Sequence, residues 1–186
     1  YPTPFPHVVG TEGAGTVVAV GDDVTDVAVG DTVAWVAGTE GSYAERVRLL
    51  AEQAVPVPAQ VGAETAAALL LQGITAHYLV RSTFPVQRGQ DVLVHAGAGG
   101  VGLLLTQLAA AAGARVVTTV SSDEKAALSR AAGAAAVLRY DLMADLAHDL
   151  PAAVRDLTGG HGVHVVYDGV GAATFEGSLA SLRPRG

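Results

Sequence analysis

Short apolar strands alternate with helical segments along the part of the chain that begins at Gln90. In chain order the strand candidates read DVLVHA, RVVTTV, AAVLRY and VHVVYD, and a helical pattern follows each of them. Consecutive parallel strands need a crossover connection, which is almost always right-handed. This order therefore predicts an α/β fold with a doubly wound parallel sheet that is covered on both faces. We expect the chain to end where a fifth strand would begin.

A glycine-rich turn joins the first of these strands to its helix, with the spacing G-x-G-x-x-G at Gly97, Gly99 and Gly102. A diphosphate must approach backbone amides closely there, and the helix N-terminus beyond supplies N–H donors and partial positive charge. We expect Gly97 and Gly99 to shape the turn, Gly100 and Val101 to border the diphosphate, and Gly102 to let helix and strand pack closely. The alternative is that these glycines serve only a tight turn, but the βαβ order that follows favours a dinucleotide site.

The end of the second strand decides between the two nicotinamide dinucleotides. NAD-specific sites usually carry a carboxylate there for the ribose hydroxyls, whereas this strand ends TTVS at Ser121. Ser121 and Glu124 have the spacing of a capping box, which predicts that Asp123 lies in the first helical turn and complements the helix dipole. Lys125, the only lysine of the chain, is within reach of a 2′-phosphate that Ser121 and Ser122 would also contact. We predict NADPH; the alternative is that Lys125 is a solvated surface residue.

The first part of the chain has a different pattern. Between residue 14 and Pro58, the β-branched runs TVVAV, DTVAWVA and YAERVRL are separated by glycine and aspartate turns, which predicts a small twisted β module. Helical patterns follow at residues 63–71 and, after Gly73, at residues 74–81. We therefore predict two domains, residues 1–70 and residues 71–186. The start lacks both Met and a signal-type apolar core, and we expect both ends to be cut from a longer protein.

Composition and charge argue against several kinds of function. The chain has no cysteine, which excludes disulfides and cysteine-containing zinc sites, and its six histidines show no ligand spacing, so we predict no metal. The formal net charge of −7 argues against nucleic acid and anionic membrane surfaces as partners. No apolar stretch is long enough to span a bilayer, and we expect a cytoplasmic protein. We interpret His95, on the first strand, as a packed core histidine.

These motifs resemble those of the zeta-crystallin-like quinone oxidoreductases, a zinc-free branch of the medium-chain dehydrogenase/reductase superfamily, over essentially the whole chain. GTEGAG at residues 10–15 is similar to the opening of the family's GroES-like catalytic domain, and LLLQGITAHYLV at residues 69–80 to its segment beside the nicotinamide. GQDVLVHAGAGGVGLLLTQLA follows the family signature, with Ala110 where a basic residue or serine is usual. VVYDGVG at residues 165–171 is similar to the strand and loop that pass the far side of the cofactor.

The resemblance implies a partial GroES-like β module followed by a Rossmann sheet truncated after its fourth strand. It also implies cofactor contacts outside the glycine loop: Thr11 and Thr75 near the nicotinamide, Ser121, Lys125 and Tyr140 around the adenosine phosphate, and Val170 on the loop after Asp168. Tyr1 matches a tyrosine that lines the substrate cleft in similar proteins. For Tyr140, packing at the edge of the sheet is an equal alternative.

The activity implied by the resemblance is transfer of reducing equivalents from NADPH to a quinone or a similar conjugated carbonyl without zinc. In zinc alcohol dehydrogenases of the superfamily, a histidine ligand stands at the position of Thr11, and threonine does not replace it. The sequence shows no obvious general acid, and a quinone that takes its protons from solvent does not need one. Two alternatives stay open: a 2-enoyl thioester reductase of the polyketide type, and a non-catalytic, crystallin-like NADPH-binding protein. A homodimer is implied for the parent protein.

Overall fold

The computed structural model describes residues 5–36 and 41–186. The chain divides into two compact units, Tyr1–Gln72 and Gly73–Gly186. Tyr1, the predicted substrate contact, lies outside the described residues.

The first unit contains a three-stranded antiparallel sheet in the order β1-β2-β3. Its strands are β1 (Glu12–Thr16), β2 (Thr32–Val36) and β3 (Val55–Pro56). Trp35 on the central strand is buried, and it lies opposite Gly13 on β1. A Cβ atom on Gly13 would lie 2.5 Å from the Trp35 ring. Gly13, the second of the three glycines in the GTEGAG motif, is therefore required by the packing of the indole against the neighbouring strand.

Two of the predicted strands in this unit are wrong. The run TVVAV leaves the sheet after Thr16, and the side chains of Val18 and Val20 are 64% and 42% exposed. The run YAERVRL forms bends and irregular structure. A strand persists only where a neighbour accepts and donates its backbone hydrogen bonds, and in the described part of the chain the last such bonds on this side join Val17 to Gly30 and Asp31.

The helical region after β3 also differs from the prediction, because Gly73 does not divide it. One helix, α1 (Ala63–Tyr78), runs through this glycine, and a π-helical turn (Leu79–Thr83) follows. A single glycine inside a helix costs only about 1 kcal/mol relative to alanine. The apolar and alanine-rich sequence around Gly73 is enough to continue the helix.

The second unit confirms the predicted doubly wound α/β fold. Its elements are β4 (Asp91–Val94), α2 (Gly100–Ala111), β5 (Arg115–Val120), α3 (Asp123–Ala131), β6 (Ala136–Arg139), α4 (Leu146–Leu157), β7 (Val165–Tyr167) and α5 (Phe175–Ser181). The four parallel strands have the order β6-β5-β4-β7. Since β5 and β7 flank β4 on opposite sides, the carboxyl ends of β4 and β7 form a topological switch point, where α/β sheets bind ligands. After α5 the chain returns to the sheet at one parallel bridge, Leu182 to Val163.

Both faces of this sheet are covered, as the apolar strand sequences predict. Val92 and Val94 belong to a buried cluster with Leu105 of α2, whereas Leu93 belongs to a second cluster with Leu150 and Val154 of α4. Alternate residues of one strand therefore enter two cores. The sheet is fixed between its helices, and its carboxyl edge presents the loops that follow each strand.

Candidate dinucleotide-binding site

The glycine loop lies between β4 and α2, at the carboxyl edge of the sheet. Gly99 is the N-cap of α2, with extended backbone (φ −77°, ψ 168°), and among the described residues no side chain caps the helix. The first N–H groups of an α-helix have no acceptor within the helix. This end of α2 can therefore donate backbone hydrogen bonds to an anion.

Restricted space, and not an unusual backbone conformation, explains the motif's glycines. Gly97, Gly99 and Gly102 all lie outside the positive-φ region. A Cβ atom on Gly97 would lie 2.5 Å from the Cβ atom of Thr118 on β5, and one on Gly102 would overlap the carbonyl oxygen of Ala96. Gly97 thus lets the loop approach β5, and Gly102 lets α2 approach the loop.

The one positive φ in this loop belongs to Ala96, at +49°. Its carbonyl oxygen accepts a hydrogen bond from the backbone N–H of Gly99 at 2.8 Å. Residues other than glycine are uncommon in this left-handed region because of contacts of their Cβ atom. The turn therefore stores strain at an alanine, which the glycine spacing gave no reason to expect.

Ser121, Ser122 and Lys125 meet at the end of β5, as predicted. The Lys125 ammonium donates to Ser121 Oγ at 3.0 Å, and the Lys125 backbone N–H donates to Ser122 Oγ at 3.2 Å. The predicted capping box is wrong by one residue, because Ser122, with extended backbone (φ −157°, ψ 162°), is the N-cap of α3. Ser121 is thereby left to contact the ammonium, which has further N–H donors for an anion.

Arg139, which the sequence analysis did not single out, lies beside this group of residues. It is opposite Val120 in the pairing of β5 with β6, and its guanidinium contacts the carboxylates of Asp123 and Asp141. The hydrogen bond from Arg139 lowers the pKa of Asp141. Asp123, 98% exposed at its side chain, is therefore bound by an arginine and does not only complement the helix dipole. The signal in the sequence was a basic residue at the end of the third strand, two positions before an aspartate.

Tyr140 follows β6 directly and begins a short 3-10 turn. Its side chain is 39% exposed, so it is not part of the buried core. Because the carboxyl ends of parallel strands share one edge, Tyr140 lies on the same side of the sheet as Ser121 and the glycine loop. Its contact with an adenosine phosphate stays a prediction.

A buried histidine lies at the switch point. His95 directly follows β4 and is 4% exposed, with Nδ1 at 2.9 Å from Thr119 Oγ1 and Nε2 at 3.1 Å from Ser178 Oγ of α5. Burial lowers the pKa of His95 and outweighs the opposite influence of the Asp168 carboxylate. The prediction of a packed core histidine is confirmed.

Asp168 stabilises the loop that follows β7 by accepting hydrogen bonds from it. Its Oδ1 atom accepts hydrogen bonds from the backbone N–H groups of Val170 at 2.9 Å and Gly171 at 3.0 Å, and its Oδ2 atom accepts from Ser178 Oγ at 2.6 Å. Thr174 Oγ1 lies 2.8 Å from both oxygens. Partial burial opposes ionisation, but these hydrogen bonds prevail and lower the pKa of Asp168 to about 2. The role of Asp168 was not predicted, although an aspartate before a glycine-rich loop is a common turn signal.

The structure places most of the predicted site residues of the second unit along one edge of the sheet. The glycine loop, the serines with Lys125, Tyr140 and Val170 follow β4, β5, β6 and β7 respectively. Val170 is 52% exposed. Thr75 lies within α1 and is partly buried, and Thr11, exposed in the first unit, directly precedes β1. The nicotinamide contacts of these two threonines stay predictions.

Three other features bear on the site. A cleft of about 690 Å³ lies within the first unit, along β1, β2 and residues 42–51, and none of the predicted site residues lines it. Within residues 5–36 and 41–186, no group of three His, Asp or Glu side chains could hold a metal ion. Every helix in the same ranges is too short or too polar to cross a membrane.

Comparison with known proteins gives matches along both units. Residues 1–59 match the family described as the alcohol dehydrogenase GroES-like domain, and residues 100–186 match the family described as zinc-binding dehydrogenase. A quinone oxidoreductase of Pseudomonas aeruginosa is 44% identical over 100% of this chain and 56% of its own length. The chain thus spans about half the length of the curated relatives it matches.

Solved structures also match this chain over its whole length, and again over little more than half of their own length. The mycobacterial protein Rv1454c complexed with NADPH is 53% identical with a TM-score of 0.93, over 100% of this chain and 57% of that one. Escherichia coli quinone oxidoreductase complexed with NADPH is 40% identical with a TM-score of 0.92, over 100% and 56%. A reducing polyketide synthase of Cochliobolus heterostrophus is more distant, at 34% identity over 95% of this chain and 7% of its own.

Proposed function

Since the chain belongs to the quinone oxidoreductase family of medium-chain dehydrogenases/reductases, we propose that it binds NADPH and that the whole protein passes reducing equivalents from NADPH to a quinone or similar conjugated carbonyl. The observation that carries the proposal is the cation at the end of β5. Lys125 is held beside Ser121 at the edge of the sheet that also presents the glycine loop. Two similar proteins of solved structure are complexes with NADPH.

The residues of this edge fit such a cofactor. The uncapped N-terminus of α2 offers backbone N–H groups for the diphosphate, and the crowding around Gly97 and Gly102 leaves no space for side chains there. Lys125 and Ser121 would hold the 2′-phosphate through a charged and a neutral donor. When bound, the cofactor supplies the hydride, and the role of the protein is to bind it, orient it and exclude water.

Titration of the purified protein with NADPH and NADH, followed by nicotinamide fluorescence, tests this proposal. We expect NADPH to bind at least about tenfold more tightly, roughly 1.4 kcal/mol, and Lys125→Ala to abolish that difference while NADH affinity stays unchanged. Arg130→Ala is the matched control, because Arg130 is an exposed cation on the same helix. Equal affinity for the two dinucleotides in the unaltered protein would contradict the proposal.

A 2-enoyl thioester reductase is the second candidate, favoured by the similarity to a reducing polyketide synthase. A panel of acceptors separates the two activities. We expect NADPH oxidation with naphthoquinones and none with a crotonyl thioester, whereas the reverse would establish the second candidate. Tight NADPH binding without turnover of either acceptor would instead indicate a non-catalytic, crystallin-like protein.

We also propose that the whole protein is a cytoplasmic homodimer that acts on a small molecule and needs no zinc. The dimer and the location rest on the resemblance to quinone oxidoreductases. Light scattering coupled to size-exclusion chromatography measures the first, and subcellular fractionation measures the second. A monomeric mass or a membrane-bound pool would refute the corresponding part.

A further inference from the structure

One chain of hydrogen bonds crosses the switch point from β5 to the loop after β7. It runs from Thr119 Oγ1 to His95 Nδ1, from His95 Nε2 to Ser178 Oγ, and from Ser178 Oγ to Asp168 Oδ2, over 2.9, 3.1 and 2.6 Å. Thr119 is fully buried, and His95 and Ser178 are 4% and 5% exposed. The chain therefore links three neighbouring strand ends and α5 through groups that have little access to water.

The chemistry of the four groups fixes the direction of this chain. An ionised carboxylate only accepts hydrogen bonds, so the single hydroxyl proton of Ser178 goes to Asp168. The Nε2 atom of His95 must then donate to Ser178. Because a neutral imidazole carries one N–H group, Nδ1 is unprotonated and accepts from the Thr119 hydroxyl. Each of the three hydrogen bonds therefore donates in the direction of Asp168.

The two ends of the chain hold the two loops of the switch point. His95 directly precedes the glycine loop, and Asp168 binds the backbone N–H groups of Val170 and Gly171 in the loop after β7. The two loops are more than 60 residues apart in the sequence. The pairing of β4 with β7, extended by a hydrogen bond from the His95 N–H to the Tyr167 carbonyl at 3.0 Å, brings their first residues together. The side-chain bonds between His95, Ser178 and Asp168 add a second connection beyond the strand ends.

We propose that Asp168 is a positioning residue for the dinucleotide: through Ser178 and His95 it sets the distance between the loop after β7 and the glycine loop. Val170 and the amides of α2 then meet the same bound molecule. This inference rests on the proposed NADPH binding. With the 2′-phosphate at the end of β5 and the diphosphate at α2, the nicotinamide half would cross the switch point toward β7, and the buried hydrogen bonds would hold it in register with the diphosphate.

Ser178→Ala is the variant that tests the link, because it removes the connection between His95 and Asp168 and leaves the bonds of Asp168 to Val170 and Gly171. Ser181→Ala is its matched control. Ser181 is a fully buried serine of the same helix, and its hydroxyl donates only within that helix, to the Gly177 carbonyl at 2.7 Å. Both variants lose one buried hydroxyl, but only Ser178→Ala interrupts the series of hydrogen bonds between His95 and Asp168.

The affinities for NADPH and for 2′,5′-ADP, which lacks the nicotinamide half, are then compared in the full protein. We expect Ser178→Ala to weaken NADPH at least fivefold, with 2′,5′-ADP within twofold of the unaltered protein and Ser181→Ala unchanged for both. A parallel loss for both ligands, or equal behaviour of the two variants, overturns the positioning role. If the unaltered protein binds neither ligand, the proposed function itself fails.

Nitrogen NMR of the His95 ring supplies a readout that does not depend on the cofactor. We expect the neutral Nε2–H tautomer in the unaltered protein. In Asp168→Asn the amide can donate to Ser178, so the chain should reverse and His95 should change to the Nδ1–H tautomer. An Nδ1–H tautomer in the unaltered protein, or the same tautomer in both proteins, overturns the proposed chain whether or not NADPH binds.

Discussion

Ala96 is the residue whose backbone least suits its side chain. At φ +49° it occupies a region that disfavours L-residues by roughly 1–2 kcal/mol, while glycine there would add entropy to the unfolded chain. We expect Ala96→Gly to raise the free energy of unfolding by about 0.5 kcal/mol, the difference between these opposing effects, as measured by urea denaturation. Ala98→Gly, at a neighbouring position without positive φ, should instead destabilise the protein. Destabilisation by both substitutions would show that the loop is not strained at Ala96.

Arg139 controls the charge next to the proposed phosphate site. It pairs with Asp123 and Asp141 at the edge of the sheet, and its removal leaves both carboxylates uncompensated near Lys125. We expect Arg139→Met to weaken NADPH binding about threefold at low salt and less at high salt, because salt screens the interactions of such exposed charges. NADH affinity should not change.

Addition of Asp123→Asn to Arg139→Met should restore part of the lost NADPH affinity, since it removes one of the two unbalanced charges. Fluorescence titration of the single and double variants at two salt concentrations measures this coupling. If the double variant binds NADPH no better than Arg139→Met alone, the carboxylate of Asp123 does not influence the phosphate site.

At the scale of elements, the junction of β4, β5 and β7 should make folding stability depend on pH. The folded pKa of His95 is lowered by burial, so the unfolded chain binds a proton that the native state resists. The contribution of neutral His95 to the free energy of unfolding is therefore fully present above about pH 6.5, the unfolded pKa of histidine, and declines as pH falls below that value. Asp168, the charged group that faces His95, has its pKa lowered to about 2, so its own contribution to stability is fully present above about pH 3.9, the unfolded pKa of aspartate, and is lost as pH falls from there through about 2.

Urea unfolding of the unaltered protein and of His95→Gln at pH 7.5 and 5.5 measures this dependence. Glutamine does not titrate, so the variant should lose less stability between the two pH values, although it starts from a lower value because it cannot reproduce both ring hydrogen bonds. Equal losses in the two proteins would mean that His95 is not the group that resists protonation.

The elements of the second unit followed from the sequence because β4, β5 and β7 contribute apolar residues to both of the clusters around Leu93 and Val94. Such strands are apolar throughout, and turn residues mark their ends. In the first unit the run that contains β2 was predicted, but two other runs were not strands, since β-branched residues such as Val18 and Val20 favour a strand without supplying a neighbouring strand to pair with. The cap of α3 was misplaced by one residue for a similar reason: Ser121 and Ser122 are the same residue type, and only the structure shows that Ser122 has extended backbone and accepts the Lys125 N–H.

The site shows the same division between local pattern and tertiary contact. The glycine loop and the Ser121–Lys125 pair are local patterns, and the structure has both. The roles of Arg139 and Asp168 depend on neighbours that are 16 and 10 residues away in sequence, Asp123 and Ser178. No spacing rule predicts those contacts, because the first arises only when β6 pairs with β5 and the second only when α5 packs against the end of β7.

At the scale of the whole molecule, the family descriptions and the residues make different suggestions about metal. Residues 100–186 match a family described as zinc-binding dehydrogenase, yet the chain contains no cysteine. We expect prolonged dialysis of the whole protein against EDTA to leave the proposed NADPH-dependent quinone reduction unchanged, because structural and catalytic zinc sites of that kind need thiolate ligands. Elemental analysis should find zinc far below one ion per chain, while a zinc alcohol dehydrogenase treated in parallel should lose its activity. Loss of quinone reduction that added zinc restores would refute the proposed zinc-free mechanism and would require ligands other than cysteine.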